Sequence, residues 1–123
     1  VRACAQWRVP LVPQGGNTGL VLGGIVIGFA VLLPSRDDDV PDAAELLGLY
    51  IDPVLRSTGI GGALIDAGFA RMPHPVHTLW TLEGNAPARR FYEHRGFVTD
   101  GAAKVFDVPG QPVEIRYRRS RLG

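Results

Sequence analysis

The sequence predicts a single mixed α/β (α+β) domain with a β-α-β unit at its centre. Three observations carry this reading. The length of 123 residues fits one domain of the usual roughly 100–200 residues. Apolar, β-forming stretches recur between Gly- and Pro-rich turns. Two stretches with helical spacing each fall between strands.

Taken in order, Val1–Arg8 is expected as a short helix, followed by Val9–Val12 and the turn-rich Gln14–Gly19. Leu20–Leu22 and Ile25–Leu33 read as a hairpin of apolar strands around Gly23-Gly24. Pro34–Asp42, with three successive aspartates at 37–39, is an exposed loop. Ala43–Asp52 hardly alternates and is expected as a strand buried on both faces. After the polar turn Pro53–Thr58, the apolar residues Ile60, Leu64, Ala67 and Ala70 mark a helix over Gly59–Met72, which Pro73 and Pro75 stop. Val76–Leu82 is rich in β-formers. Asn85 is placed to cap a helix over Ala86–Arg95 with Pro87 in its first turn, and Gly96 closes it. Ala103–Val108 and Val113–Arg118 flank Pro109–Pro112 as a second hairpin.

Composition narrows the function. With 46% hydrophobic and 20% charged residues, the chain is that of a soluble globular protein rather than a disordered tail. Thirteen basic against twelve acidic residues leave a net charge of +1, so no global field draws in nucleic acid or an anionic membrane. One cysteine, Cys4, excludes an internal disulfide and a cysteine-based zinc site; His74, His77 and His94 lack ligand spacing, so no metal is expected. A reducing, cytoplasmic setting fits best. Leu20–Leu33 falls short of the about 20 residues that span a bilayer and is broken by glycines. The start of the chain has no secretion-signal pattern. Arg116, Arg118, Arg119 and Arg121 are expected to point outward from an edge strand, and they lack the interleaved aromatics of a nucleic-acid surface.

The informative segment is Arg56-Ser57-Thr58-Gly59-Ile60-Gly61-Gly62, between a buried strand and an amphipathic helix. Its backbone N–H groups lack intrahelical partners and the helix dipole adds positive charge, so the turn is suited to a phosphate. Glycines at 59 and 61 remove the Cβ atoms that would hold a phosphate off. A P-loop needs Gly-Lys-Ser/Thr, which is absent, and the dinucleotide pattern fails because Leu64 stands at its third glycine.

Leu49-Tyr50-Ile51-Asp52-Pro53, then Arg56-x-x-Gly59-x-Gly61, then Asn85-Ala86-x-Ala88-x-x-Phe91-Tyr92-x-x-x-Gly96-Phe97 closely resembles the acyl-CoA-dependent N-acyltransferases of the GNAT superfamily, over residues 25–119. The resemblance implies a mixed, mostly antiparallel sheet with a central β-α-β-α unit, and acetyl-CoA as cosubstrate. It places the coenzyme A pyrophosphate on the turn from Arg56 through Ser57, Thr58, Gly59, Ile60 and Gly61 to Gly62. The pantetheine arm is then expected alongside Leu49, Tyr50 and Ile51 as if it were an added strand. Asn85 is expected to contact the cofactor while capping its helix. The acceptor is an amine on a small molecule or a peptide.

Amine attack on a thioester expels a thiolate, so a proton donor near the sulfur and a route for the amine proton are required. The resemblance makes Tyr92 the leaving-group acid, and a phenol with a reference pKa near 10 is protonated at neutral pH. Glu45, at the start of the central strand, matches a glutamate that some members use to take the amine proton directly or through water. In the branch that acetylates protein N-termini, a glutamate stands five residues before the asparagine. Here that place holds Trp80, which counts against a ribosomal-protein-type enzyme.

Residues 1–24 form an atypical N-terminal segment, leaving 25–123 as the acetyltransferase-like domain. Pro13-Gln14-Gly15-Gly16-Asn17-Thr18-Gly19 resembles part of the flavin pyrophosphate loop of vanillyl-alcohol-oxidase-type FAD-binding domains. Some 24 residues cannot enclose a flavin, so FAD binding is not expected. The family's N-terminal strand and helices have no room before Leu20, which leaves the acceptor side open and an apolar sheet face that favours dimerisation. The alternative to an active enzyme is a non-catalytic acyl-CoA-binding remnant.

Overall fold

The computed structural model describes residues 11–14, 17–22, 25–56 and 58–121, with backbone alone up to residue 27. The helix expected over Val1–Arg8 and the glycine turns at 15–16 and 23–24 lie outside the described residues. The strands are β1 (Leu11–Gln14), β2 (Asn17–Leu22), β3 (Ile25–Pro34), β4 (Ala43–Ile51), β5 (Val76–Leu82), β6 (Val98–Val105) and β7 (Val113–Ser120). The helices are α1 (Ile60–Ala70), between β4 and β5, and α2 (Ala86–His94), between β5 and β6. The strands form one seven-stranded sheet in the order β1-β2-β3-β4-β5-β7-β6. Every pairing is antiparallel except β4 with β5. The N-terminal segment continues this sheet, since β2 pairs along β3 from Asn17↔Val31 to Leu22↔Ile25.

The core lies between α1, α2 and one face of the sheet. Leu64, Ile65 and Phe69 of α1 meet Ala30 and Leu32 of β3, Ala44 and Leu46 of β4, and Leu79, Phe97 and Tyr117. The helix sits close to the sheet because Gly68 is bare where it crosses β3; a Cβ there would collide with Leu32.

Several expectations change. Gln14 ends β1 and Asn17–Gly19 open β2, so most of the turn expected over Gln14–Gly19 is strand. β4 is buried only over Ala43–Leu46, and its second half opens to solvent. The cause is a bulge: Leu32 pairs with Leu46 but Val31 pairs with Gly48, so Leu47 is the extra residue. β6 begins at Val98 rather than Ala103, because the turn-like Thr-Asp-Gly-Ala is absorbed as an irregularity at Gly101, φ 91°. Finally, β7 is an interior strand, flanked by β5 and β6, and Arg116 and Arg119 turn inward.

Arg116 is 5% exposed. Its Nη1 and Nη2 donate to Asp39 at 2.8 and 2.6 Å, its Nη1 to Asp37 at 3.3 Å and its Nε to Asp100 at 2.6 Å. The aspartate loop is therefore not a free surface loop; it is pinned across β7. Arg119 donates from Nε to His77 Nδ1 at 3.1 Å and from Nη1 to the Arg95 carbonyl at 2.8 Å.

His77 is 3% exposed and stacks on Phe69 with ring centres 3.9 Å apart. Burial, with the positive charge of Arg119 and Arg121 and the neighbouring His74, lowers its pKa from 6.5 to about 4. A depressed folded pKa contributes stability that is complete above the unfolded value and is lost as pH falls through the folded one. Unfolding free energy should fall by about 3 kcal/mol between pH 6.5 and 4, beyond what carboxylates contribute. Urea titrations of the wild-type chain and His77→Phe across this window check it, and parallel pH profiles for the two would refute it.

Candidate functional site

The parallel ladder between β4 and β5 has four pairs, Ala43↔Val76 to Leu46↔Leu79, and ends there. Beyond Leu46 the bulge carries β4 away. Gly48 to Ile51 still pair with β3 on one side, but β5 no longer runs beside them on the other. A strand that parts from its neighbour leaves backbone N–H and C=O groups able to pair with an extended amide chain.

A groove of about 490 Å³ runs along this exposed edge. One wall is Leu49, Tyr50 and Ile51; the floor is the turn with Leu55, Arg56, Gly59, Gly61 and Gly62; the far wall is α2, through Asn85, Pro87, Ala88, Phe91 and Tyr92. The three sequence segments singled out above thus border one cavity.

The turn is built as follows. Asp52 Oδ1 accepts from Val54 N at 3.0 Å and caps a single 3-10 turn over Pro53–Leu55. Thr58 turns its hydroxyl back onto the Leu55 carbonyl, which commits that side chain to the loop. Gly59 is the N-cap of α1 at φ 91°, a left-handed conformation suited to glycine, and no side chain caps the helix. A Cβ at Gly59 would meet nothing within 4 Å, so the space over this N-terminus is open. The first N–H groups of α1 have no intrahelical acceptor and form the positive end of the helix dipole, a donor set that fits a phosphate. Gly61 and Gly62 are bare for a different reason. A Cβ at Gly61 would press on Phe91 at 3.2 Å and one at Gly62 on the Arg95 guanidinium at 2.5 Å, so both let α2 pack against α1. Arg95 then reaches Asp66 at 2.5 Å. Ile60 is buried in the core, leaving its backbone alone for a ligand, and Ser57 lies outside the described residues.

Asn85 caps α2, its Oδ1 accepting from Ala88 N at 3.2 Å, while bordering the groove. Tyr92 stands on the same helix with its ring against Phe91 and Phe97, at 5.3 and 6.1 Å between centres. Burial raises its pKa above the usual phenol value, so it carries its proton at neutral pH. No protein group among the described residues bonds its hydroxyl. α2 is held by a second tyrosine: Tyr117 donates to Glu93 Oε2 at 2.6 Å and accepts from Arg89 Nε at 3.0 Å.

Glu45 is not part of the groove. It pairs with Leu33 and Thr78 in the buried half of β4, and the bulge at Leu47 reverses the alternation beyond it. Leu49 and Ile51 therefore face the helices, whereas Glu45 faces the opposite side of the sheet. It is 1% exposed, and its carboxylate accepts from Arg36 N at 3.1 Å and Arg36 Nη2 at 2.9 Å. Phe29 and Tyr50, stacked at 5.5 Å, and Trp80 share that side. The lining residues Leu55, Pro87, Ala88 and Phe91 were not among the expected site residues, although the motif contains Ala88 and Phe91. The helical spacing of Asn85, Ala88 and Tyr92 marks Ala88 in retrospect, but nothing local marks Leu55.

Among the described residues no cluster of His, Cys, Asp and Glu could hold a metal ion, and no helix is long and apolar enough to cross a membrane. The model of the acetyltransferase (GNAT) family matches residues 5–97, beginning within the N-terminal segment. A Mycobacterium tuberculosis protein named as a probable N-acetyltransferase is 35% identical over 79 residues, 64% of this chain; the chain spans 44% of that relative. Among solved structures, Ard1 from Thermoplasma volcanium superposes with a TM-score of 0.73 at 24% identity, covering 99% of this chain and 77% of that one. An acetyltransferase of Bacillus anthracis, assigned to streptothricin and solved with acetyl coenzyme A, gives a TM-score of 0.72 at 25% identity over 85% of this chain and 61% of that one. A Bacillus subtilis acetyltransferase in complex with CoA gives 0.67 at 16% identity, covering 86% of this chain and 76% of that one.

Proposed function

Since the chain belongs to the GNAT acetyltransferase family, we propose that it is an acetyl-CoA-dependent N-acetyltransferase that passes the acetyl group to a primary amine by direct attack on the thioester. The observation that carries this is the groove in which the unpaired edge of β4, the open N-terminus of α1 and the Tyr92 side chain converge. In this reading the N–H groups from Gly59 to Gly62 hold the pyrophosphate, with Arg56, Ser57 and Thr58 forming the approach to it. Leu49, Tyr50 and Ile51 pair with the pantetheine amides, and a β4 N–H polarises the thioester carbonyl. Asn85 borders the same arm.

The amine arrives from the face opposite the helices, where Glu45 takes its proton directly or through water and Arg36 fixes the carboxylate. The nitrogen forms a bond to the carbonyl carbon, the carbon–sulfur bond breaks, and the thiolate takes the proton of Tyr92. The acceptor is a small-molecule or peptide amine, with no nucleic-acid or membrane partner. We place the site in residues 25–123, with 1–24 as an attached segment that takes no FAD, in a reducing, cytoplasmic setting and in a homodimer.

Thermal denaturation with and without acetyl-CoA tests the reading, with FAD in parallel. Acetyl-CoA at 100 times its dissociation constant should stabilise the fold by about 2.7 kcal/mol, and FAD should not. No rise with acetyl-CoA would overturn it. Stabilisation without turnover across a panel of primary amines would instead establish the non-catalytic binding protein.

A further inference from the structure

We infer that Lys104, the lone lysine of the sequence, is acetylated by the acyl-transfer site of its own chain. This rests on the proposed N-acetyltransferase activity and adds a specific acceptor to it. Four observations support it.

The first is chemical. The other twelve basic residues are arginines, whose guanidinium stays protonated and is no nucleophile at neutral pH, so Lys104 supplies the one side-chain amine the chain can offer.

The second is position. Trp80 follows Leu79, the last β5 residue paired with β4, and so stands where the two strands part. It pairs with Arg116 and shares a face with Thr78 and Glu45, opposite the helices. Lys104 lies on the edge strand β6, yet its side chain reaches inward past β7 and places Nζ 3.9 Å from the centre of the Trp80 ring. The amine is thus held over Trp80, next to the end of the β4–β5 ladder, on the face from which the proposed mechanism brings its acceptor.

The third is exposure. Lys104 Nζ pairs with Asp37 Oδ1 at 3.6 Å, too long for a hydrogen bond, and the side chain is 46% exposed, so its four-carbon stem has room to swing off the Trp80 ring.

The fourth is tolerance of the product. Asp37 Oδ2 accepts from Trp80 Nε1 at 2.8 Å and from Arg116 Nη1 at 3.3 Å, so the carboxylate keeps partners when Lys104 becomes a neutral amide.

The step balances. The ammonium loses one proton to solvent, the neutral amine attacks the acetyl carbon, and the carbon–sulfur bond breaks. The second nitrogen proton passes to Glu45 or water, the departing thiolate takes the proton of Tyr92, and the products are an acetamide and coenzyme A thiol.

The experiment incubates the full chain with acetyl-CoA and follows intact mass and the peptide map. One acetyl group should appear on Lys104, at a rate unchanged by diluting the protein. Lys104→Arg should lose that label while still acetylating an added primary amine, and Tyr92→Phe should slow the labelling. Absence of label on Lys104 while acetyl-CoA stabilises the fold and an added amine is acetylated would overturn the inference and leave the enzyme reading standing. Equal labelling of the heat-unfolded chain, or a rate that scales with protein concentration, would also overturn it. Neither stabilisation by acetyl-CoA nor acetylation of any amine would remove both.

Discussion

Under the proposed function, Tyr92→Phe should lower the rate of acetyl transfer by about 10²–10⁴-fold and leave coenzyme A affinity nearly unchanged, the effect typical of removing one positioned general acid. The substitution takes away an oxygen and keeps the ring, so the contacts with Phe91 and Phe97 persist and the wall of the groove retains its shape. Since no group among the described residues bonds the hydroxyl, its loss strands no buried donor or acceptor there. Burial raises the phenol pKa, so the acid form persists through neutral pH and the rate should not fall with rising pH until above about 10. Single-turnover acetylation, alongside coenzyme A titration by calorimetry, separates chemistry from binding. An unchanged rate would remove Tyr92 from the mechanism.

Arg116→Met should cost about 3–5 kcal/mol of stability, the usual consequence of leaving buried carboxylates without their cation. The loss is set first by Asp100, whose side chain is 9% exposed; Asp37, 13% exposed, keeps Lys104 and Trp80 Nε1 as partners and contributes less. Asp39 is mostly exposed and adds little. These carboxylates raise the Arg116 pKa further, so the guanidinium is charged at any working pH. Arg116→Lys keeps the charge but cannot reach three carboxylates with one ammonium, and should recover part of the loss. Urea midpoints at constant m-value measure both; a loss below about 1 kcal/mol for the methionine variant would mean that the aspartate loop is not anchored here.

The parts of this fold written locally were legible. Glycines bracketed the hairpin of β2 and β3, Pro73 closed α1, and Asn85 with Pro87 opened α2. The groove was legible for the same reason: its walls are three short contiguous segments. What escaped is decided between elements distant in sequence. The alternation of β4 cannot be read past Leu46 without knowing that Leu47 bulges against β3. Arg116 looks like a solvated charge until a loop nearly eighty residues upstream supplies its carboxylates. Glu45 is in the right strand for a base, yet nothing in its neighbourhood shows that the bulge sets it on the opposite side from Leu49, or that Arg36 holds it.

The short parallel ladder between β4 and β5 has a mechanical meaning. Among the described residues, four residue pairs stitch the leaf of β1–β4 to the leaf of β5–β7 within the sheet. Above that seam the leaves stand apart like the covers of a partly opened book, with α1 lying against the β2–β4 cover. A chain of amides laid along β4 would extend the stitching past the point where the protein's own rungs stop. Substrate would then be a structural member for the duration of each turnover, and loss of the acyl group followed by departure of the thiol would return the book to its looser binding.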